Sequence, residues 1–312
     1  MEKYVILADV TCDLPKELRE ECGMEDYLKG HVHISLGDEE RELLSDLDWE
    51  SISAEEYYGI LGNKRAKVST APPNLEEYSE AFERYVKEGY KVLSMSISSK
   101  ISSTYSSATV AAARVREKYP DAEIYCFDAL RISGAFALLT FYAHLLKQEG
   151  RSFEEVIEWL EANKQRVHQM GPIDDLIVVA RRGRITMGKA IMGSFAGVKP
   201  MGDCNSEGYV TVLTKAKGIR KALELTVDYV KETAVDPESS CAIVMHTDRQ
   251  QYAEALKALL EEKMQFKKVY VSACFAANAT NIGPGMVGVY YFGDEITDLS
   301  RERETVARLT GK

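Results

Sequence analysis

Lys91-Val92-Leu93-Ser94-Met95-Ser96-Ile97-Ser98-Ser99-Lys100-Ile101-Ser102-Ser103-Thr104-Tyr105 decides how this chain folds. Lys91 to Ile97 alternates as a β-strand does, and from Thr104 to Val115 Ala and Val recur at helical spacing. The Ser-rich turn therefore sits where a strand hands over to a helix N-terminus. Such a junction presents unpaired backbone N–H groups and the positive end of the helix dipole, which suits an anion. Ser and Thr hydroxyls add further donors. The plainer account of the same residues is an N-cap and a polar turn. Features elsewhere in the chain weigh between the two.

Upstream, Tyr4 to Ala8 reads as a strand, Pro15 to Glu21 as a short helix with Pro in its first turn, and Tyr27 to Leu36 as a strand turning at Gly37-Asp38. Ser53 with Glu56 and Asn74 with Glu77 have the capping-box pattern, opening helices to Leu61 and Gly89. Downstream, the Thr104 helix runs to Tyr119 and Glu123 to Phe127 is the next strand. Strands separated by helices predict a parallel sheet covered on both faces. Ligands of such sheets lie at the carboxyl ends of the strands, where Asp9, Ser98 and Asp128 fall on one rim.

The segment from Gly134 to Leu146 is apolar around nearly its whole circumference and must be buried on all sides, as a central core helix or one wall of a pocket. Gly150-Arg151-Ser152 reads as a joint, followed by a long helix from Ser152, capped with Glu155, to Met170. At Gly171-Pro172 the pattern changes, dividing the chain into residues 1–170 and 171–312. Leu176–Val179, Val198–Met201, Tyr209–Leu213, Cys241–His246, Val269–Ser272 and Val287–Phe292 are strand candidates, interrupted by helices from Lys217 to Thr233 and Arg249 to Lys263. The turn from Asp203 to Gly208 requires an antiparallel pair, so the second half is a mixed sheet with helices on one face.

The length of 312 residues is comfortable for two domains. The net charge of −10, with no basic stripe interleaved with aromatics, speaks against nucleic acid and against anionic lipid surfaces. Six cysteines show no C-x-x-C pair, and with five scattered histidines they make no zinc site; buried reduced thiols are the natural account. The N-terminus has no signal-peptide pattern, and Ala135 to Leu146 is too short to span a bilayer, so the expectation is a cytoplasmic protein that handles any lipid by enclosing it.

Gly283-Pro284-Gly285-Met286-Val287-Gly288 matches G-x-G-x-x-G formally, but a strand follows it, whereas a dinucleotide fingerprint opens a helix. The glycines are better explained by a tight turn that lets backbone approach a ligand or the other domain. No G-x-S-x-G occurs, His144 lies in an apolar helix, and Asp9, Asp13 and Asp128 suit caps better than a metal. No cofactor is expected. Arg181-Arg182-Gly183-Arg184 is the densest positive cluster, either a solvated loop or a surface for an acidic or phosphate-bearing partner. Beyond it Met187, Ala190, Ile191, Met192, Phe195 and Ala196 are soft and apolar, as in a core or a pocket for a flexible chain.

Taken together, seven blocks resemble the DegV family of bacterial fatty-acid-binding proteins. They are Leu7 to Pro15, Ser69-Thr70-Ala71-Pro72-Pro73, the Ser98 to Tyr105 turn, Asp128 to Ser133, Arg182 to Ile185, Val198 to Met201 and Gly283 to Gly288, in the family's order. The resemblance implies an α/β, DegV-like two-domain fold: an N-terminal three-layer α/β/α parallel sheet carrying the hydroxyl-rich turns, and a C-terminal two-layer α/β mixed sheet completing an acyl pocket. It implies a carrier rather than an enzyme, which buries one long-chain fatty acid and presents the carboxylate to a partner kinase for acyl-phosphate formation. The implied ligand residues are Ser69, Thr70, Ser102, Ser103, Asn281 and Ile282, with Arg184 at the kinase contact. Two positions depart from the family pattern. Asn281 stands where a His is usual, and Ser103 where Gly is preferred. The rival readings are a small-molecule hydrolase or transferase using the same hydroxyl-rich cleft, or an interaction protein without ligand.

Overall fold

The computed structural model describes residues 2–174, 176–186 and 197–311. Four parallel strands form the first sheet in the order Tyr27–Leu28, Tyr4–Asp9, Lys91–Ser96, Ile124–Asp128. The pleat sends Val5, Leu7 and Val92 to one face, where Tyr78, Phe82, Ala108 and Ala112 of helices Leu75–Lys87 and Thr104–Lys118 cover them. Tyr4, Ile6, Leu93 and Met95 face the other way, against helices Ser133–Gln148 and Phe153–Asn163. The result is the expected three layers. Helices Leu75–Lys87 and Phe153–Asn163 begin where their caps dictate: Asn74 with Glu77 and Ser152 with Glu155 form complete capping boxes.

The second sheet runs Lys268–Ala273, Cys241–His246, Val287–Phe292, Val167–Met170, the first pair parallel and the rest antiparallel. Helices Ile219–Thr233 and Gln250–Lys263 bury Leu223, Val227, Leu256 and Leu260 on one face. The opposite face, with Ile243, Met245 and Tyr290, shares a core with the Ser133–Gln148 helix. That helix is therefore apolar all round because it lies between two sheets. A Cβ on Gly134 would lie 2.3 Å from the Tyr290 ring, so helix backbone rests directly on the second sheet. Two smaller sheets complete the fold. One pairs Glu39–Ser45, Gly30–Leu36 and Lys67–Ala71; the other pairs Val198–Cys204, Val210–Lys217 and Ile185–Thr186.

Three sequence-based expectations are corrected. The helix expected to reach Met170 ends at Asn163, and Val167–Met170 is a fully buried strand of the second sheet, where β-branched and aromatic partners on Val287–Phe292 reward pairing. Leu176–Val179, expected as a strand, lies in a short helix, Leu176–Arg181. Its β-branched run is overridden by packing against helix Ala276–Ile282; a Cβ on Gly283 would come 3.0 Å from Val178 Cγ1. Tyr27–Leu36 is two strands in different sheets, divided before Gly30, whose backbone approaches Ala71 O too closely for a side chain without adjustment. The apolar residues Met187, Ala190, Ile191, Met192, Phe195 and Ala196 lie outside the described residues.

Candidate functional site

A cavity opens between the second sheet and the hairpin of Val198–Cys204 and Val210–Lys217. Strand Val198–Cys204 and its hairpin partner supply Pro200, Met201, Val210 and Val212; the segment after Gly171 supplies Ile173, Leu176 and Val179; helix Ala276–Ile282 and the following turn supply Ile282, Met286 and Val287. Ile101, Ile132 and Ile185 close it. The wall is thus mainly branched aliphatic, with a few polar groups: Ser133, Gln169, Arg184, Asn278, Asn281 and Tyr290. Of the long apolar helix only Ser133 reaches the cavity, so that helix is core rather than pocket wall.

The glycine turn makes this wall possible. Gly283 has φ +76° and Gly285 φ +109°, conformations that L side chains rarely adopt. A Cβ on Gly285 would lie 2.4 Å from Asp174 Cβ, and the Asp174 N–H donates to Gly285 O at 3.0 Å. The turn leads into strand Val287–Phe292, as its sequence context requires, and not into a helix.

Asn281, Ile282 and Arg184 line the cavity directly. Asn281 Nδ2 donates to Thr70 Oγ1 at 3.1 Å, joining helix Ala276–Ile282 to strand Lys67–Ala71. Ser69 is exposed, opposite His33 on the outer face of that strand, while Thr70 lies opposite buried Val32. Ser102 follows the cavity residue Ile101; its Oγ accepts from Thr104 N at 3.3 Å and shares a 2.6 Å bond with Thr104 Oγ1, so it caps the helix. Ser103 is exposed. Arg184 is half-buried rather than a free surface charge, donating Nε to Ile101 O at 3.2 Å and Nη1 to Arg182 O. Arg182 in turn donates to Val68 O at 2.7 Å, which ties the basic turn to the strand bearing Thr70.

Beneath the cavity, Asp13 is fully buried and accepts from Ser133 Oγ at 2.6 Å, Asn278 Nδ2 at 2.7 Å and Phe275 N at 2.9 Å. Burial pushes its pKa up to about 7 despite these donors. The rim carboxylates are turn braces: Asp9 accepts from Thr11 N and Ile97 N, and Asp128 from Ser99 N and Leu130 N. His168 and His246 are committed too. His168 gives one ring nitrogen to Asp203 at 2.8 Å and the other to Asp294 O at 2.8 Å; His246 is held by Gln250 and Arg249 N. His144 is buried, its pKa pushed down to about 3 by burial, and its Nε2 has no partner among the described residues. All six cysteines are unpaired and Cys126 alone is partly accessible. Among the described residues no helix is long and apolar enough to cross a membrane.

Sequence reading missed Ser133, Gln169 and Asn278. Asn278 carried a signal: it stands three residues before Asn281, on the same helical face. Gln169 carried none, because its strand was read as the end of a helix.

The family model described as "Uncharacterised protein, DegV family" matches residues 3–294. A DegV domain-containing protein of Clostridium perfringens is 30% identical over 294 residues, covering 94% of this chain and 99% of the relative. Among solved structures, a DegV family protein of Thermus thermophilus, described by its fatty acid binding, superposes with a TM-score of 0.80 at 24% identity, covering 94% of this chain and all 100% of that one. The Fatty Acid Kinase (Fak) B3 protein of Streptococcus pneumoniae, loaded with linoleic acid, superposes with a TM-score of 0.75 at 19% identity, over 94% and 100%. At these identities the structural likeness is one of fold.

Proposed function

This chain belongs to the DegV family, and on that footing we propose that it is a carrier that encloses one long-chain fatty acid and offers the carboxylate to a partner kinase. The observation that carries the reading is the character of the cavity: walled mainly by Ile, Val, Leu and Met, with Asn281 in that wall bonded to Thr70. Burying a methylene is worth about 0.8 kcal/mol, so a sixteen-carbon chain offers about 11 kcal/mol gross. Hydrogen bonds to a charged headgroup add about 1.5–3 kcal/mol each before desolvation. The tail supplies affinity, and the polar edge sets which end is presented.

Thr70 and Asn281 hold the headgroup in this reading, with Ser102, Ser103 and Ile282 beside them and Ser69 contributing through its backbone. Arg184 keeps its positive charge at the same edge, where an incoming kinase or a newly formed acyl phosphate would meet it. Residues 1–170 act as the lobe bearing the hydroxyls, except that Val167–Met170 joins the sheet of the lobe formed by 171–312. Six unpaired thiols suit a reducing compartment, and the cytoplasm is the one we propose. Bond making belongs to the kinase.

Native mass spectrometry of the protein purified without refolding tests this. The expected mass exceeds that of the chain by one fatty acid, which organic extraction releases. Recovery of bare protein that takes up neither oleic nor palmitic acid would overturn the reading.

A further inference from the structure

Gln169 is the anomaly of the cavity wall. Its residue is 9% exposed, and its side-chain Oε1 is sealed from solvent with no hydrogen-bond partner among the described residues. The backbone is not at fault, since Gln169 N donates to Asp203 Oδ1 at 2.9 Å. Antiparallel register sets Gln169 opposite Tyr290, so both side chains project from one face of the second sheet, where both line the cavity. Two other polar groups of the same wall have their donors engaged elsewhere. Ser133 Oγ donates to Asp13, and Asn278 Nδ2 donates to Asp13 and to Thr11 O.

A buried acceptor left unmade is costly, and native proteins resolve nearly all of them. A hydrocarbon tail cannot resolve this one, because it brings no donor. A hydroxyl on that tail can: its O–H donates to the amide oxygen, and its oxygen can accept from an amide N–H if the group turns over. The site is also set apart from the presenting edge. Asn278 is buried while Asn281 is half-buried, and Gln169 stands on strand Val167–Met170 with no bond to the Thr70–Asn281 pair among the described residues.

We propose that the preferred cargo is a fatty acid carrying a hydroxyl group along its chain, read by Gln169. The inference rests on the carrier reading above and narrows its ligand class. Gln169 is then the residue that separates oxygenated from plain acyl chains, while the aliphatic wall accepts both.

The test is displacement of a fluorescent fatty acid from the full chain by stearic acid and by monohydroxystearic acids with the hydroxyl at different chain positions. The parent protein is compared with Gln169→Leu and, as a second variant of similar volume, Gln169→Met. At least one hydroxy isomer should bind the parent about tenfold or more tighter than stearic acid. That advantage should vanish in both variants, the ratio of hydroxystearic to stearic acid affinity falling to about one. If stearic acid matches every hydroxy isomer on the parent, this inference falls while the carrier reading stands. If both variants weaken stearic and hydroxystearic acids alike, the amide serves the carboxyl group or the wall, and the inference also falls. If no acid displaces the probe from the parent, the carrier reading falls and takes this one with it.

Discussion

Asn281 Nδ2 donates to Thr70 Oγ1 across 3.1 Å, between residues 211 apart in the chain. The same nitrogen donates to Ala277 O at 3.0 Å, so both amide hydrogens are committed. Thr70 therefore accepts at this contact, and its own O–H remains to donate. A carboxylate brought to this edge meets a hydroxyl already polarised by an amide. In the proposed reading the division of labour follows: Thr70 touches the headgroup, and Asn281 orients Thr70.

Thr70→Ala should weaken binding of a free fatty acid by about 1–3 kcal/mol, the cost of an acceptor losing one donor when charged. Ser69→Ala should change it little, since that hydroxyl lies on the outer face with His33. Titration of both variants with one labelled fatty acid checks this. Equal effects would mean that the strand is turned relative to the ligand and that the Thr70 assignment fails. Thermal unfolding should be unaffected in either, because neither side chain is part of the core.

Stability should depend on the buried His168–Asp203 pair. The carboxylate raises the His168 pKa against the opposing effect of burial. A base whose folded pKa is raised stabilises fully below its unfolded value, near 6.5, and that stabilisation is lost as pH rises through the folded value. His168→Gln should cost about 3–5 kcal/mol at pH 6, as breaking a buried pair does, and the deficit should narrow above neutrality. Asp13 acts in the same direction. Its carboxyl is raised to about 7, so folding favours the protonated form and stability declines as pH climbs from about 4 toward 7. Urea unfolding of parent and variant across this range measures both. A deficit that widened with pH would contradict the charged-histidine account.

Much of this architecture was legible because local signals agreed with one another. The Lys91–Ser96 strand, the Ser-rich turn and the Thr104–Lys118 helix follow from period and capping alone. So does the glycine turn, since β-branched and aromatic residues follow Gly285 where a nucleotide site needs a helix. The failures share one cause. Leu176–Arg181 is β-branched yet helical, and Val167–Met170 was hidden behind a helix that stops early; in both, partners distant in sequence decide the outcome. Of the site, Asn281 and Ile282 were legible at the glycine turn. Gln169 was not, because a polar residue in a buried strand is informative only once its neighbours are known.

Gly134→Ala should disturb the contact between the two halves. The added methyl meets the Tyr290 ring at 2.3 Å, with helix backbone on one side and the second sheet on the other. Overpacking of this kind costs about 1–3 kcal/mol. Since Tyr290 also lines the cavity, fatty acid affinity should fall together with melting temperature. Unchanged melting would show that the Tyr290 ring moves aside at no cost.

The last test concerns the proton at the presenting edge. An amide at position 281 does not titrate near neutrality, so residue 281 itself adds no slope to headgroup affinity from about pH 5.5 to 8. Asn281→His should introduce a slope. Below its pKa, near 6.5 when unperturbed, the ring carries a charge at the place where the amide now holds Thr70. A hydrogen bond to a charged group is worth about 1.5–3 kcal/mol against about 0.5–1.5 for a neutral one, so binding should tighten at the acid end. The ligand carboxyl ionises in the same region when buried, so its own titration is followed in parallel, by carbon-13 shift of a labelled fatty acid bound to each protein. The expected difference is a variant whose affinity falls, as pH rises through the imidazole pKa, beyond any fall that the parent shows. Superimposable profiles would mean that residue 281 neither touches nor orients the headgroup, and the Thr70–Asn281 edge would lose its role.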